Sequence, residues 1–118
     1  MPSLQEMAKK EGAYSGGHRL CAGCPVPIFT KMLTRVTDYD IVVGSATGCL
    51  EVGSSIFPYS AWKVPWIHTA FENSAASVSG MEAMYRVHKK KNRTDKKIKF
   101  VATGGDGWDF GWNTGPGH

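Results

Sequence analysis

The sequence feature that most constrains this chain is a closely spaced pair of cysteines in Cys21-Ala22-Gly23-Cys24. A C-x2-C pair places two thiolates on one tight turn, where they can hold a single metal centre. The only other cysteine is Cys49, which makes the spacing C-x2-C-x24-C. An odd number of cysteines argues against a disulfide framework. The pattern therefore predicts a metal or redox site built from Cys21, Cys24 and Cys49.

Size and composition indicate one domain, or a piece of one. The chain has 118 residues and is 42% hydrophobic, which suits a modest globular core. No apolar run approaches the roughly 20 residues that a membrane-spanning helix needs. Residues 1–6 lack the apolar core of a signal peptide. We therefore expect a cytoplasmic protein without a membrane partner, whose thiols stay reduced.

The net charge of +4 is concentrated in one short segment, because eight of the fourteen Lys and Arg residues lie between Arg86 and Lys99. Basic residues at the end of a helix complement its dipole and usually stay solvated. Nucleic-acid surfaces normally interleave such charges with aromatic rings, and residues 89–99 contain none. We expect no nucleic-acid partner, and a docking patch for an acidic protein remains an alternative to the solvated face.

Hydrophobic periodicity predicts an α/β order of elements with a parallel sheet. Residues 1–20 are polar and glycine-rich, so they are predicted to form an arm that leads into the cysteine turn. The regular elements are predicted as a helix at 27–36, a buried strand at 41–44, a loop at 57–68 with a short strand near Ile67, a helix at 72–90 and a second buried strand at 97–103. The second helix should join the two buried strands in a crossover.

Two features of these elements bear on function. Cys49 is predicted to lie on a loop at the carboxyl end of the first buried strand, where parallel sheets bind ligands. The second helix carries many small residues, and Gly80 in its interior predicts that another backbone approaches closely there. The aromatic rings of residues 57–68 are predicted either to line a pocket or to cover the edge of the core.

A glycine-rich segment follows the last predicted strand in Gly104-Gly105-Asp106-Gly107. Glycines at a strand end let a diphosphate approach the backbone, and a carboxylate between them can hold a bridging divalent metal. An ordinary glycine-rich turn is the alternative explanation. The metal-site interpretation gains support because the cysteine set is predicted at the same edge of the sheet.

These segments together resemble the β subunit of pyruvate:ferredoxin oxidoreductase and of related 2-oxoacid:ferredoxin oxidoreductases. The matching stretches are Gly17-His18-Arg19-Leu20-Cys21-Ala22-Gly23-Cys24, Ala46-Thr47-Gly48-Cys49-Leu50-Glu51, Val64-Pro65-Trp66-Ile67-His68, Ala70-Phe71-Glu72-Asn73 and Gly105-Asp106-Gly107. The resemblance implies that residues 1–118 are the amino-terminal part of a thiamine-diphosphate-binding domain. Residues 1–20 would be its arm and residues 112–118 an irregular tail.

The resemblance also implies cofactors and partners. Cys21, Cys24 and Cys49 would hold irons of a [4Fe-4S] cluster, and Asp106 would bind Mg²⁺. The thiamine diphosphate would lie against Thr47, Gly48, Cys49, Phe71, Gly105, Asp106 and Gly107. Partners would be the α and further subunits, ferredoxin, coenzyme A and a 2-oxo acid such as pyruvate. The resemblance assigns no catalytic side chain to this chain.

Two departures from the family pattern lead us to expect an inactive fragment. The cluster needs a fourth thiolate, and the chain contains only three cysteines. An Asn113-Thr114-Gly115 element also follows Gly-Asp-Gly much sooner than it does in the family. The expected activity is oxidative decarboxylation to acyl-CoA, with electrons leaving through the cluster to ferredoxin, but only in a completed protein.

A small zinc-binding structural module is the main alternative. Three cysteines and one histidine complete a tetrahedral zinc site, and His18 and His68 are the candidate fourth ligands. A thioredoxin-like redox pair is disfavoured because no strand is predicted before Cys21. Taken without the resemblance, the residues favour zinc over iron and sulfur.

Overall fold

A computed structural model describes residues 3–105, which form a three-stranded parallel sheet flanked by helices. The predicted α/β fold class is confirmed, and the sheet is consistent with part of a thiamine-diphosphate-binding fold. In chain order the elements are α1 (Leu4–Lys9), α2 (Pro25–Val36), β1 (Asp40–Ala46), α3 (Cys49–Ser54), β2 (Trp66–Thr69), α4 (Ser74–Lys90) and β3 (Ile98–Thr103).

Strand β1 lies at the centre of the sheet, in the order β2-β1-β3. Val43 of β1 is in register with Trp66 on one side and with Val101 on the other. Both pairings are parallel, so the carboxyl ends of the strands meet at one edge. One prediction about connectivity was wrong. The strand immediately before α4 is β2, so the crossover through α4 passes over β1 instead of starting from it.

The two long helices, α2 and α4, begin within two residues of their predicted starts. Helix α2 begins at Pro25, before the predicted start at 27, because a proline at the first position loses no helical hydrogen bond. Helix α4 begins at Ser74, later than the predicted start at 72, with Asn73 as its N-cap. Its last turn carries His88, Lys89 and Lys90, which complement the helix dipole as predicted.

Helix α4 packs closely on one face of the sheet through Gly44. The hydroxyl of Ser74 is fully buried and donates to the Gly44 carbonyl at 3.0 Å, while Val78 is 7% exposed beside the same glycine. The expectation that Gly80 allows the close approach was wrong, because a β-carbon there would meet nothing within 4 Å among the described residues. The required glycine lies in the strand, not in the helix.

The other face of the sheet carries the main hydrophobic core. Ile41 and Val43 of β1 pack there with Tyr14, Ala61 and Trp62. Tyr14 forms an isolated bridge with Trp62, and its ring is only 3% exposed. The amino-terminal segment was expected to be an arm that buries little, and this expectation was wrong for Tyr14. It anchors the segment because its ring meets the edge of Trp62 at 5.0 Å between centroids.

The amino-terminal segment also contains a helix that the sequence interpretation missed. Ser3 and Glu6 form a capping box, in which each side chain accepts a hydrogen bond from the other residue's backbone N–H. The Ser-x-x-Glu pattern that encodes it is visible in the sequence. Among residues 3–105, none of the helices has the length and apolar character needed to span a lipid bilayer.

Candidate functional site

A cavity of about 810 Å³ opens at the carboxyl edge of the sheet. Its floor is made by the ends of β1 and β3, through Ser45, Ala46, Ala102 and Thr103. Phe29 of α2 contributes to one wall. The volume falls within the range of about 300–1,000 Å³ that is typical of sites for small molecules and cofactors.

The structure brings most of the predicted cofactor residues to this cavity. They come from the two loops that follow β1 and β3 and from the turn after β2: Thr47, Gly48, Cys49, Phe71 and Gly105. Among residues 3–105, a β-carbon on Gly48 or Gly105 would meet nothing within 4 Å, so within this range the backbone is open to the cavity at both places. Asp106 and Gly107, the predicted metal ligand and its neighbour, lie outside the described residues.

Cys49 is placed differently from the prediction in one respect. It is the first residue of α3 instead of a loop residue, because the chain enters the helix at once after Gly48, the N-cap. The side chain is exposed and lines the cavity. Its position at the carboxyl end of β1 therefore agrees with the prediction, although the local structure does not.

The Cys21–Cys24 segment is a tight turn that leads directly into α2. The Cys24 N–H donates to the Cys21 carbonyl at 3.1 Å, and Gly23 adopts a positive φ of 77°, which favours glycine. Cys24 is the N-cap of α2, and two residues later Val26 lines the cavity. The turn therefore lies on the cavity side of the molecule.

The three cysteines are not gathered into one ligand set. Within residues 3–105 no three His, Cys, Asp or Glu side chains lie close enough together to hold a metal ion. The chain before the turn rests on the far end of α3, where Arg19 N–H donates to the Gly53 carbonyl at 2.7 Å. Gly53 lies four residues beyond Cys49, or about 6 Å along a helix axis.

A trio of polar side chains lies at the rim of the cavity. The Thr47 hydroxyl is 2.6 Å from Nε2 of His68, and Nδ1 of the same ring is 3.7 Å from the Glu51 carboxylate. The Glu51 side chain is only 14% exposed, whereas that of His68 is 44% exposed. Sequence reasoning treated His68 only as a candidate zinc ligand and missed its link to Thr47. The two residues are far apart in sequence and meet because β2 pairs with β1.

A row of aromatic rings runs from the cysteine turn towards this trio. His18 stacks on Tyr14, Tyr14 meets Trp62, Trp62 stacks on Trp66, and Trp66 stacks on His68. The sequence left open whether the rings of residues 57–68 line a pocket or cover the edge of the core. Trp62 is 8% exposed and covers the core, and among the described residues no ring of residues 57–68 lines the large cavity.

The hydroxyl group of Tyr14 is affected by its burial. Its hydroxyl is buried without a hydrogen-bond partner of good geometry among the described residues. Burial raises the pKa of Tyr14 above its ordinary value of 10.0, and the nearby Ser54 hydroxyl offsets part of the rise. The thiol of Cys24 adds a smaller upward contribution to this pKa, which places it near the Tyr14 ring.

Comparison with known proteins decides the family. The chain is 54% identical over 111 residues to pyruvate synthase subunit PorB of Thermotoga maritima, covering 90% of this chain and 34% of the relative. It is 48% identical over 100 residues to the subunit of the same name in Methanocaldococcus jannaschii, covering 83% of this chain and 34% of the relative. This chain is a homologue of PorB over most of its length. No protein-family model matches it.

The similarity extends to a relative with a different name. Ketoisovalerate oxidoreductase subunit VorB of Pyrococcus abyssi is 28% identical over 97 residues, covering 82% of this chain. The chain spans about a third of the length of the curated relatives it matches. Each of these relatives is named as a subunit.

The described residues fit the organic part of thiamine diphosphate better than they fit the cluster that the PorB family resemblance implies. The cavity has a suitable volume, and the open backbone at Gly48 and Gly105 can admit a bulky polar group. A four-iron cluster, by contrast, needs one thiolate more than the chain contains. We therefore assign no reaction step to the cluster.

The zinc alternative is not favoured for this PorB homologue. His68 is engaged by Thr47 and faces Glu51, and Nδ1 of His18 accepts a hydrogen bond from the Leu20 N–H at 3.3 Å. A ring nitrogen that accepts a hydrogen bond is not free to bind zinc through the same lone pair. The described residues also lack the gathered donor set that a structural zinc site requires.

Proposed function

We propose that this chain forms part of the thiamine-diphosphate-binding domain of a 2-oxoacid:ferredoxin oxidoreductase. The observation that carries the proposal is the convergence of Thr47, Gly48, Cys49, Phe71 and Gly105 on one cavity at the carboxyl edge of the sheet. Open parallel sheets bind ligands at that edge. The 54% identity to a pyruvate synthase subunit supports the enzyme class.

Pyruvate is the proposed 2-oxo acid. The overall reaction is oxidative decarboxylation, in which coenzyme A takes the acyl group and ferredoxin takes the electrons. Bound thiamine diphosphate would supply a carbon nucleophile for the 2-oxo carbon and an electron sink for the charge left by loss of CO₂. In this chain, Phe71 would provide apolar contact, and Gly48 and Gly105 would let the cofactor approach the backbone. Asp106 is the proposed Mg²⁺ ligand at the diphosphate, with Gly107 beside it.

We further propose that activity requires the α and other subunits, and that the isolated chain is inactive. Cys21, Cys24 and Cys49 are proposed to hold three corners of a [4Fe-4S] cluster whose fourth thiolate comes from elsewhere in the enzyme. Reduced thiols of this kind are typical of the cytoplasm, the proposed compartment.

The cofactor proposal is tested by calorimetric titration of the chain with thiamine diphosphate in the presence of Mg²⁺. Loss of an outer-shell partner of a metal typically costs about 10–100-fold in affinity, so Asp106→Asn should weaken binding at least tenfold. The matched control is Asp95→Asn, which removes an exposed carboxylate near the start of β3, at the opposite edge of the sheet. Equal affinity of the two variants, or no binding to the unmodified chain, would contradict the proposal.

The cluster is tested separately by anaerobic reconstitution with iron and sulfide, in the chain and in its complex with the other subunits. The proposal predicts broad visible absorption in the complex and its loss in Cys49→Ser. A colourless, chelator-sensitive metal bound in a one-to-one ratio would instead support the zinc module.

A further inference from the structure

The polar trio at the cavity rim favours one direction of hydrogen bonding. Nδ1 of His68 faces the Glu51 carboxylate at 3.7 Å, beyond hydrogen-bond distance, and the negative charge of a carboxylate on that side favours a proton on Nδ1. In the Nδ1–H tautomer, Nε2 of the neutral ring is an acceptor. The Thr47 hydroxyl lies 2.6 Å from Nε2, and in this tautomer the hydroxyl donates.

The competing acceptor for the Thr47 hydroxyl is weaker. The Thr69 carbonyl lies 3.3 Å from that hydroxyl and already accepts the Thr47 backbone N–H at 3.1 Å. The His68 ring is also held in place, because Trp66 stacks on it with an angle of 19° between the planes. The hydroxyl proton of Thr47 is therefore directed at His68 and away from the cavity.

We propose that His68, oriented by Glu51, is a positioning residue that makes Thr47 a hydrogen-bond acceptor towards the cavity. Thr47 lines the cavity, whereas His68 does not, so His68 acts only through Thr47. Because the Thr47 hydroxyl donates its proton to His68, its oxygen can only accept a hydrogen bond from a ligand. It therefore selects a ligand group that donates N–H or O–H. For thiamine diphosphate, the available group is the exocyclic amino group of the pyrimidine ring. This ligand choice rests on the proposed function, whereas the direction of the trio does not.

The first test needs no cofactor. Nitrogen NMR of the chain, at a pH where the His68 ring is neutral, should show the Nδ1–H tautomer with a hydrogen-bonded Nε2. Thr47→Ser should preserve the Nε2 signal, and Thr47→Val should shift it to that of a nitrogen without this bond. A predominant Nε2–H tautomer in the unmodified chain would overturn the proposal. A purely structural role for His68 would leave the tautomer unspecified.

The second test measures ligand choice. We would compare thiamine diphosphate with oxythiamine diphosphate, in which the amino group is replaced by an oxo group, in the presence of Mg²⁺. One hydrogen bond corresponds to about fivefold to tenfold in affinity, so the preference for the amino compound should fall by that factor in Thr47→Val and His68→Ala. Thr47→Ser should retain the preference, as should the control His88→Ala, which changes a ring at the end of α4.

The outcomes separate this inference from the proposed function. An unchanged preference in both Thr47→Val and His68→Ala would overturn the inference while leaving cofactor binding intact. If neither compound bound to the unmodified chain, the proposed function would fail, and the tautomer measurement would then decide the direction of the trio by itself.

Discussion

The side chain of Val78 on α4 occupies the space beside Gly44 on the central strand. A β-carbon added to Gly44 would lie 2.4 Å from Cγ2 of Val78. This distance is a steric clash, which requires Val78 or the backbone to shift. The nearby Ser74 hydroxyl fixes the helix by donating to the Gly44 carbonyl. Helix α4 can therefore approach the sheet this closely only because residue 44 has no side chain.

Gly44→Ala should destabilise the fold. Overpacking of this kind costs about 1–3 kcal/mol, because the helix must shift away from the strand or Val78 must leave its rotamer. The measurement is the free energy of unfolding from urea titration, followed by circular dichroism. Gly80→Ala is the matched control. Space is open at Gly80, so alanine should stabilise the helix by about 0.5–1 kcal/mol. Destabilisation by Gly80→Ala would contradict this assignment of the close contact.

Tyr14→Phe should be neutral or stabilising near neutral pH, because it removes a buried hydroxyl that lacks a partner of good geometry. Tyr14→Ala should instead cost about 3–5 kcal/mol by opening a cavity beside Trp62. Both values come from urea titrations of the variants. A large loss of stability in Tyr14→Phe would show that the hydroxyl makes a hydrogen bond that the structure does not contain.

Tyr14→Phe should also change the stability of the protein at alkaline pH. The raised pKa of Tyr14 means that the folded state keeps its proton at a pH where the unfolded chain, with a pKa near 10.0, has lost it. Ionisation of the unfolded chain therefore removes stability as pH rises from about 10.0 through the folded pKa. Tyr14→Phe should show a smaller fall in unfolding free energy over this range than the unmodified chain.

The regular elements with strong periodicity could be predicted from the sequence. Helix α2, strand β1 and helix α4 were placed within a few residues, because their apolar residues recur at helical or strand spacing. The convergence of Thr47 and Gly105 at one edge also followed from the parallel pairing. Helix α1 was missed because its polar composition was given more weight than its Ser3–Glu6 capping box.

Other features depend on contacts between distant segments, which periodicity does not encode. The small residues of α4 suggested a close approach, but the sequence could not say whether Gly80 or Gly44 provides it. The placement of the chain just before the Cys21–Cys24 turn depends on the contact of Arg19 with Gly53 at the far end of α3. The trio of Glu51, His68 and Thr47 depends on the register of β2 against β1.

Ser54→Ala should destabilise the core through Trp62. The indole N–H of Trp62 donates to the Ser54 hydroxyl at 2.8 Å in a buried location, and alanine would leave that donor unsatisfied. The expected loss is about 1–3 kcal/mol in urea titration. Ser60→Ala is the control, because Ser60 is exposed and accepts only the Trp62 backbone N–H at 3.2 Å. Equal effects of the two substitutions would contradict a special role for the buried bond.

Two exposed carboxylates near the amino terminus should titrate independently of each other. The hydrogen bond from Lys63, and then its charge, lower the pKa of Glu11 below its ordinary value of 4.5. The pKa of Glu6 is lowered from the same value, chiefly by the Ser3 backbone N–H and then by the Ser3 hydroxyl. Because both pKa values are lower in the folded state, their stabilising effect is present above about pH 4.5 and is lost as pH falls through the folded values.

Side-chain carboxyl NMR titration separates the two sites. Lys63→Met should return the pKa of Glu11 towards 4.5 and leave that of Glu6 unchanged. Ser3→Ala should raise the pKa of Glu6 only in part, because the larger contribution comes from a backbone N–H that alanine retains. Glu11 should not respond to Ser3→Ala. A parallel rise at both sites in either variant would mean that the local bonds do not set these pKa values, and that a shared field of the surrounding lysines does.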